Sequence, residues 1–179
     1  MWIGFWRRFV DVVETSTNSV VLDTSVVAKS ILEPPKNLPP NAYKREVETR
    51  RKIHVILEIL ESRGYTVYFP RAGIVEAASV LKRSGLDKQN IVKLVENIEE
   101  TFIVADEDLI YSRALEIAMD RAPSGFDTYF IALATITNSI LITDDKPMAD
   151  HAKSLGIEVI LVRESSLEYI RKKLIGKRK

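Results

Sequence analysis

The chain contains no cysteine among its 179 residues and only two histidines, His54 and His151. That excludes a disulfide framework, a thiolate zinc site and a cysteine nucleophile, and the two imidazoles stand too far apart in sequence to show ligand spacing. No GxxxxGK[ST] or GxGxxG motif occurs, so the usual cradles for nucleoside triphosphates and dinucleotides are absent. Apolar runs break well before the roughly 18 residues of a spanning helix. Neither sign of charge dominates: 26 Lys+Arg against 25 Asp+Glu give a net charge of +1. A protein that holds nucleic acid by bulk attraction is thereby excluded. Any hydrolytic chemistry must run on carboxylates, hydroxyls or a hard metal.

What is present is a core-forming composition, 46% hydrophobic, in a chain of one-domain length. Five β-branched runs read as buried strands: Ser19–Asp23, Tyr65–Phe69, Thr101–Ala105, Ser139–Thr143 and Ile157–Val162. Helical patterns separate them, among them the stripe Ile53, Ile56, Leu57 and Leu60, and Gly64, Gly85 and Gly156 stand where helices should stop. The alternation predicts an α/β fold with a mostly parallel sheet covered by helices on both faces. Residues 1–18 read as an amphipathic helical extension carrying Trp2, Phe5, Trp6 and Phe9. Residues 19–163 form the main unit, with a helical insertion at about 34–63 entered through the proline-rich Glu33–Pro40. Residues 164–179 give a C-terminal helix and a basic tail, Lys172, Lys173, Lys177, Arg178 and Lys179. The opening segment has aromatics before its arginines, the reverse of a secretory signal, so a cytoplasmic location is expected.

Ligands of a parallel α/β sheet gather beyond the carboxyl ends of its strands. The first strand is followed by Asp23-Thr24-Ser25 and the fourth by Thr143-Asp144-Asp145. If those strands are neighbours, about 4.8 Å apart, Asp23 and Asp145 can share one cation. Two further acids keep unusual company. Glu76 lies within AGIVEAASVL, and Asp127 opens the apolar DTYFIALA. Charges in such surroundings are costly unless paired or bound to metal. Singly, Asp23, Asp127, Asp144 and Asp145 also suit helix-capping or Asx-turn roles; jointly with Glu76, a shared site explains them better. Crowded carboxylates point to Mg²⁺ or Mn²⁺, with Ser25 and Thr143 supplying hydroxyls for a carboxylate or a metal-bound water. Such a site polarises a phosphate and activates a water, the chemistry of phosphodiester hydrolysis.

The stretches VLDTSV (Val21–Val26), Glu76, FDTYFIALA (Phe126–Ala134) and LITDD (Leu141–Asp145) resemble the PIN-domain family, in its VapC-like ribonuclease branch. The resemblance runs from about residue 19 to 162 and implies a three-layer α/β/α fold around a parallel sheet of about five strands. It implies RNA cleavage dependent on Mg²⁺ or Mn²⁺, with Asp23, Glu76, Asp127 and Asp145 as the catalytic and metal-binding acids. Ser25 and Thr143 are then supporting, and Asp144 auxiliary. The branch further implies a homodimer and, for a toxin of a toxin–antitoxin pair, an antitoxin protein as partner.

Lys82 and Arg83, at the end of the helix carrying Glu76, are the candidate RNA contacts. The competing reading is a PIN-like module that binds RNA or protein without cleaving it. Crowded carboxylates facing phosphate weigh against a pure binder.

Overall fold

The computed structural model describes residues 18–121 and 123–176. The expected N-terminal helix, except for Asn18, and the tail residues Lys177, Arg178 and Lys179 lie outside the described residues. The described residues form five strands: β1 (Ser19–Leu22), β2 (Thr66–Pro70), β3 (Ile103–Ala105), β4 (Ile140–Thr143) and β5 (Val159–Leu161). They make one sheet in the order β3-β2-β1-β4-β5, and every pairing is parallel. All four residues of β1 and all four of β4 are buried. A parallel sheet covered on both faces calls for such unbroken apolar runs.

Helices make the crossovers that parallel strands require. In chain order they are α1 (Thr24–Ile31), α2 (Pro40–Ser62), α3 (Arg71–Arg83), α4 (Lys88–Thr101), α5 (Glu107–Arg121), α6 (Gly125–Ile136), α7 (Lys146–Ser154) and α8 (Leu167–Ile175). The result is a three-layer α/β/α arrangement. Helix α6 is apolar almost all round, buries Phe130 through Ala134, and packs on β1, β2 and β4 and along α5. Helix α2 fills the stretch expected as an insertion; Ile53, Ile56 and Leu60 are buried in the core and Leu57 packs against it. Helix α1 packs against both α2 and α3. No helix among the described residues is long and apolar enough to cross a membrane.

Every strand differs from the sequence reading by one or two residues at an end, and two of those differences reassign a residue to a helix. Asp23 does not end β1 but becomes the N-cap of α1, its carbonyl accepting from the Val26 and Val27 N–H groups. Thr101 belongs to α4 rather than to β3, because the amphipathic period of that helix runs through it. The stop signals at Gly64 and Gly156 act through backbone geometry, with φ of +61° and +79° following α2 and α7.

The strand order changes direction at β1 and β4, the central pair, with Leu22 opposite Ile142. A crevice opens beyond their carboxyl ends, the place where such sheets bind ligands. Helix α3 reaches that crevice after a close approach to the core: a Cβ at Gly73 would lie 2.7 Å from Phe130 Cζ and 2.8 Å from Phe69 Cε1. Those two buried rings sit edge to face, 5.4 Å between centroids. Gly73→Ala is therefore expected to destabilise the fold by overpacking, by about 1–3 kcal/mol. Urea unfolding of the variant and parent checks it.

Candidate active site

The site is assembled from four elements. Asp23 leaves β1 at the start of α1. Its carboxylate makes no capping bond to that helix. Instead Oδ2 accepts from the Ser25 hydroxyl and from Thr143 Oγ1, the latter at 2.7 Å. Those hydroxyls are themselves oriented: Ser25 Oγ accepts from the Asp144 N–H at 3.2 Å, and Thr143 Oγ1 from the Asp145 N–H at 2.9 Å. Two adjacent peptide N–H groups beyond β4 thus act through two hydroxyls on one carboxylate oxygen.

Glu76 projects from α3, and its Oε2 accepts from Thr24 Oγ1 at 2.7 Å. Asp145 is the N-cap of α7, with Oδ1 accepting from the Met148 N–H at 2.8 Å. Asp127 stands in the first turn of α6 and is not its cap; Ser124 caps that helix and accepts from the Asp127 N–H. The capping reading thus describes Asp145, fits the backbone but not the carboxylate of Asp23, and fails for Asp127. The Ser25 hydroxyl is turned to Asp23.

Asp23, Glu76, Asp127 and Asp145 all line one open cleft of about 920 Å³. Asp23 is only 4% exposed. Burial pushes its carboxyl above the ordinary aspartate range, the Ser25 and Thr143 hydrogen bonds oppose that, and the charge of Asp127 adds to the rise. Asp127 is also raised, first by burial and then by the charges of Asp145 and Glu76, against the opposing pull of Ser124 and His151. Asp127 is the group through which the four acids repel one another. Among the described residues, no three carboxylate or imidazole side chains are drawn together tightly enough to hold a metal ion. Each of Asp23, Glu76 and Asp145 has an oxygen engaged by a hydroxyl or a peptide N–H. The donor set nevertheless suits a hard divalent cation: carboxylate oxygens from four elements, with like-charge repulsion between them.

Asp144 is placed differently from its neighbour. It is 1% exposed and does not line the cleft. Its Oδ1 accepts from the Arg163 N–H at 3.0 Å and Nε at 3.1 Å, and its Oδ2 from Arg163 Nη2 at 2.9 Å and Lys29 Nζ at 2.6 Å. Lys29 also pairs with Glu46 of α2 at 2.5 Å. Burial pushes the Asp144 carboxyl up, but the Arg163 and Lys29 contacts outweigh it and hold the group below the ordinary aspartate range. The network ties the ends of β4 and β5 to α1 and α2. The sequence reading missed Lys29, Arg163 and Glu46. Lys29 had a signal, a charge inside the otherwise apolar and small TSVVAKSI, the same argument that singled out Glu76. Of the two candidate RNA contacts, Arg83 lines the cleft and Lys82 does not. Arg50, not anticipated, lines it as well.

A family model described as PIN domain matches residues 42–160, a stretch that includes Glu76, Asp127 and Asp145 and that Asp23 precedes. None of the curated proteins compared with the chain matches it significantly. Among solved structures, PAE2754 from Pyrobaculum aerophilum superposes with a TM-score of 0.51 at 14% identity, over 89% of this chain and 91% of that one. A domain of a functionally unknown protein from Methanocaldococcus jannaschii gives 0.45 at 23% identity, over 84% and 94% of the two chains. FitAcB from Neisseria gonorrhoeae gives 0.46 at 20% identity, over 79% and 96%. The likeness to PAE2754 is one of fold.

Asp144→Ala is expected to leave two cations facing an empty buried position. The cost is about 3 kcal/mol, the low end for a broken buried pair because Lys29 and Arg163 are themselves partly exposed. A depressed carboxylate contributes stability at neutral pH that is lost as pH falls through its folded value, below the ordinary 3.8. The gap between variant and parent in chemical unfolding should therefore be full at pH 7 and shrink only in strong acid.

Proposed function

The chain belongs to the PIN-domain family, and from that premise we propose that it is a metal-dependent endoribonuclease acting on single-stranded RNA. One observation carries the reading: Asp23, Glu76, Asp127 and Asp145 line a single cleft at the switch point of the sheet. They gather where a phosphate would face four carboxylates unless a cation stood between them. Asp23, Asp127, Asp145 and Glu76 would hold Mg²⁺ or Mn²⁺, which supplies charge for the scissile phosphate and lowers the pKa of an attacking water. The chain's own residues do the positioning. Ser25 and Thr143 fix Oδ2 of Asp23, which leaves Oδ1 as its remaining oxygen. Thr24 fixes one oxygen of Glu76, and the first turn of α7 fixes one oxygen of Asp145. Preset carboxylates lose little freedom when substrate arrives.

The acid order shared with VapC-like toxins extends the proposal to a cytoplasmic toxin with an antitoxin protein as partner. A homodimer belongs to the same reading. The apolar stripe of α2 is spent on the core and leaves no face for an interface there. Tyr111, Leu115 and Met119, at i, i+4 and i+8 along α5, are all exposed. Light scattering at micromolar concentration should give twice the chain mass, and a monomer mass removes the dimer from the proposal.

Activity is tested with end-labelled single-stranded RNA. Mg²⁺ or Mn²⁺ should support cleavage that leaves 5′-phosphate and 3′-hydroxyl ends, and EDTA should abolish it. Asp23→Asn and Asp145→Asn should each slow cleavage at least a hundredfold, about 2.7 kcal/mol of barrier. Asp144→Asn, outside the cleft, should cost less. Cyclic-phosphate ends or EDTA-resistant cleavage would contradict the mechanism. Absence of cleavage with metal present would turn the reading to the non-catalytic binding module.

A further inference from the structure

An RNA strand needs cations, and the net charge of +1 does not provide a general attraction. Among the described residues, three cations line the acid cleft: Lys29, Arg50 and Arg83. Lys29 is already neutralised between Glu46 and Asp144. The other two differ. Arg83 is exposed and makes no ion pair among the described residues. It follows Glu76 by seven residues on α3, two helical turns or about 10 Å along the axis, so it shares the cleft without crowding the acids. Arg50, on α2, meets one carboxylate oxygen, Glu33 Oε1, at 3.1 Å from Nη2, and its Nε is buried with no acceptor. Glu33 is 78% exposed and sits directly before Pro34 and Pro35 of the connector, which line the same cleft. An ion pair with so exposed a partner is weak and readily exchanged. A phosphate group offers several acceptor oxygens in the geometry a guanidinium binds best.

We propose that Arg50 on α2 and Arg83 on α3, the two helices packed against α1, grip two backbone phosphates of a single RNA strand, and that Glu33 covers Arg50 until a phosphate displaces it. Glu33 is then a built-in competitor for the phosphate position. It raises the threshold for any polyanion that does not also reach Arg83. The inference rests on the reading of the chain as an RNA-cleaving protein, and it concerns grip rather than chemistry.

The test is fluorescence polarisation of a 5′-labelled 12-nucleotide oligouridylate, in Mg²⁺, on the full chain carrying Asp23→Asn to suppress cleavage. In that background Arg50→Gln and Arg83→Gln should each weaken binding several-fold. Each should also lower the slope of log K against log salt by about 0.7, the loss of one single-strand phosphate contact. Lys82→Gln removes the same charge one residue away but outside the cleft, and should change neither. Glu33→Gln should tighten binding several-fold, a gain that a misfolded variant cannot mimic. If Arg50→Gln and Arg83→Gln bind with parental affinity and slope, or if Lys82→Gln weakens binding equally, the grip is wrong. If Glu33→Gln binds no tighter, the competition is wrong. A parent that binds no oligouridylate at all would overturn the RNA reading itself, and the grip with it.

Discussion

The pairing of β1 with β4 is the contact on which the rest of this molecule depends. With Leu22 opposite Ile142, the Asp23 N–H donates to the Ile142 carbonyl at 3.0 Å. The last ladder bond between the strands thus belongs to the residue that carries the first acid. That one bond sets Asp23 beside Thr143 and brings the N-termini of α1 and α7 to the same edge. A slip of one residue would turn Thr143 to the opposite face and leave the buried Asp23 carboxylate without half its hydroxyl support. The site is thus an extension of the sheet's hydrogen bonding rather than a decoration on its loops.

Much of this was legible in the sequence because the relevant signals are local. The runs VVL and ILI announce strands that are buried on both faces, and an acid immediately after each needs no long-range knowledge to be placed at a strand end. Glu76 and Asp127 stood out because a charge inside an apolar helix has no inexpensive local explanation. What escaped notice depends on distance along the chain. Asp144 and Asp145 look interchangeable in sequence, yet opposite pleat and helix geometry send one to Arg163 and Lys29 and the other to the cleft. The partner lysine is 115 residues away, and no periodicity encodes such a pairing. The α2 stripe was legible as apolar, but its destination was not, because its burial is decided by α1 and α8.

The two sets of charges at this edge are kept apart by the polypeptide itself. Asp144 takes its compensation from within the protein and becomes part of the frame that joins α1, α2 and the ends of β4 and β5. Asp23, Glu76, Asp127 and Asp145 receive hydroxyls and peptide N–H groups but no basic side chain among their described hydrogen bonds. The compensation they receive within the protein is the charge of His151 on Asp127 and of Arg163 on Asp145, with no direct ion pair. Adjacent residues thereby serve opposite ends, one as a closed ion network and the other as an open demand for positive charge.

Gly73 ties this demand to the hydrophobic interior. Helix α3 rests on the Phe69 and Phe130 rings at the one residue without a side chain, and Glu76 follows a single turn later on the same rigid rod. Phe130 lies one turn past Asp127 on α6. Two of the four acids are therefore mounted on helices whose separation is gauged by a glycine wedged against an aromatic ring. The spacing of carboxylates at the surface is an image of van der Waals contact several ångströms below it. The separation of these carboxylates is open to tuning by core residues that lie outside the cleft.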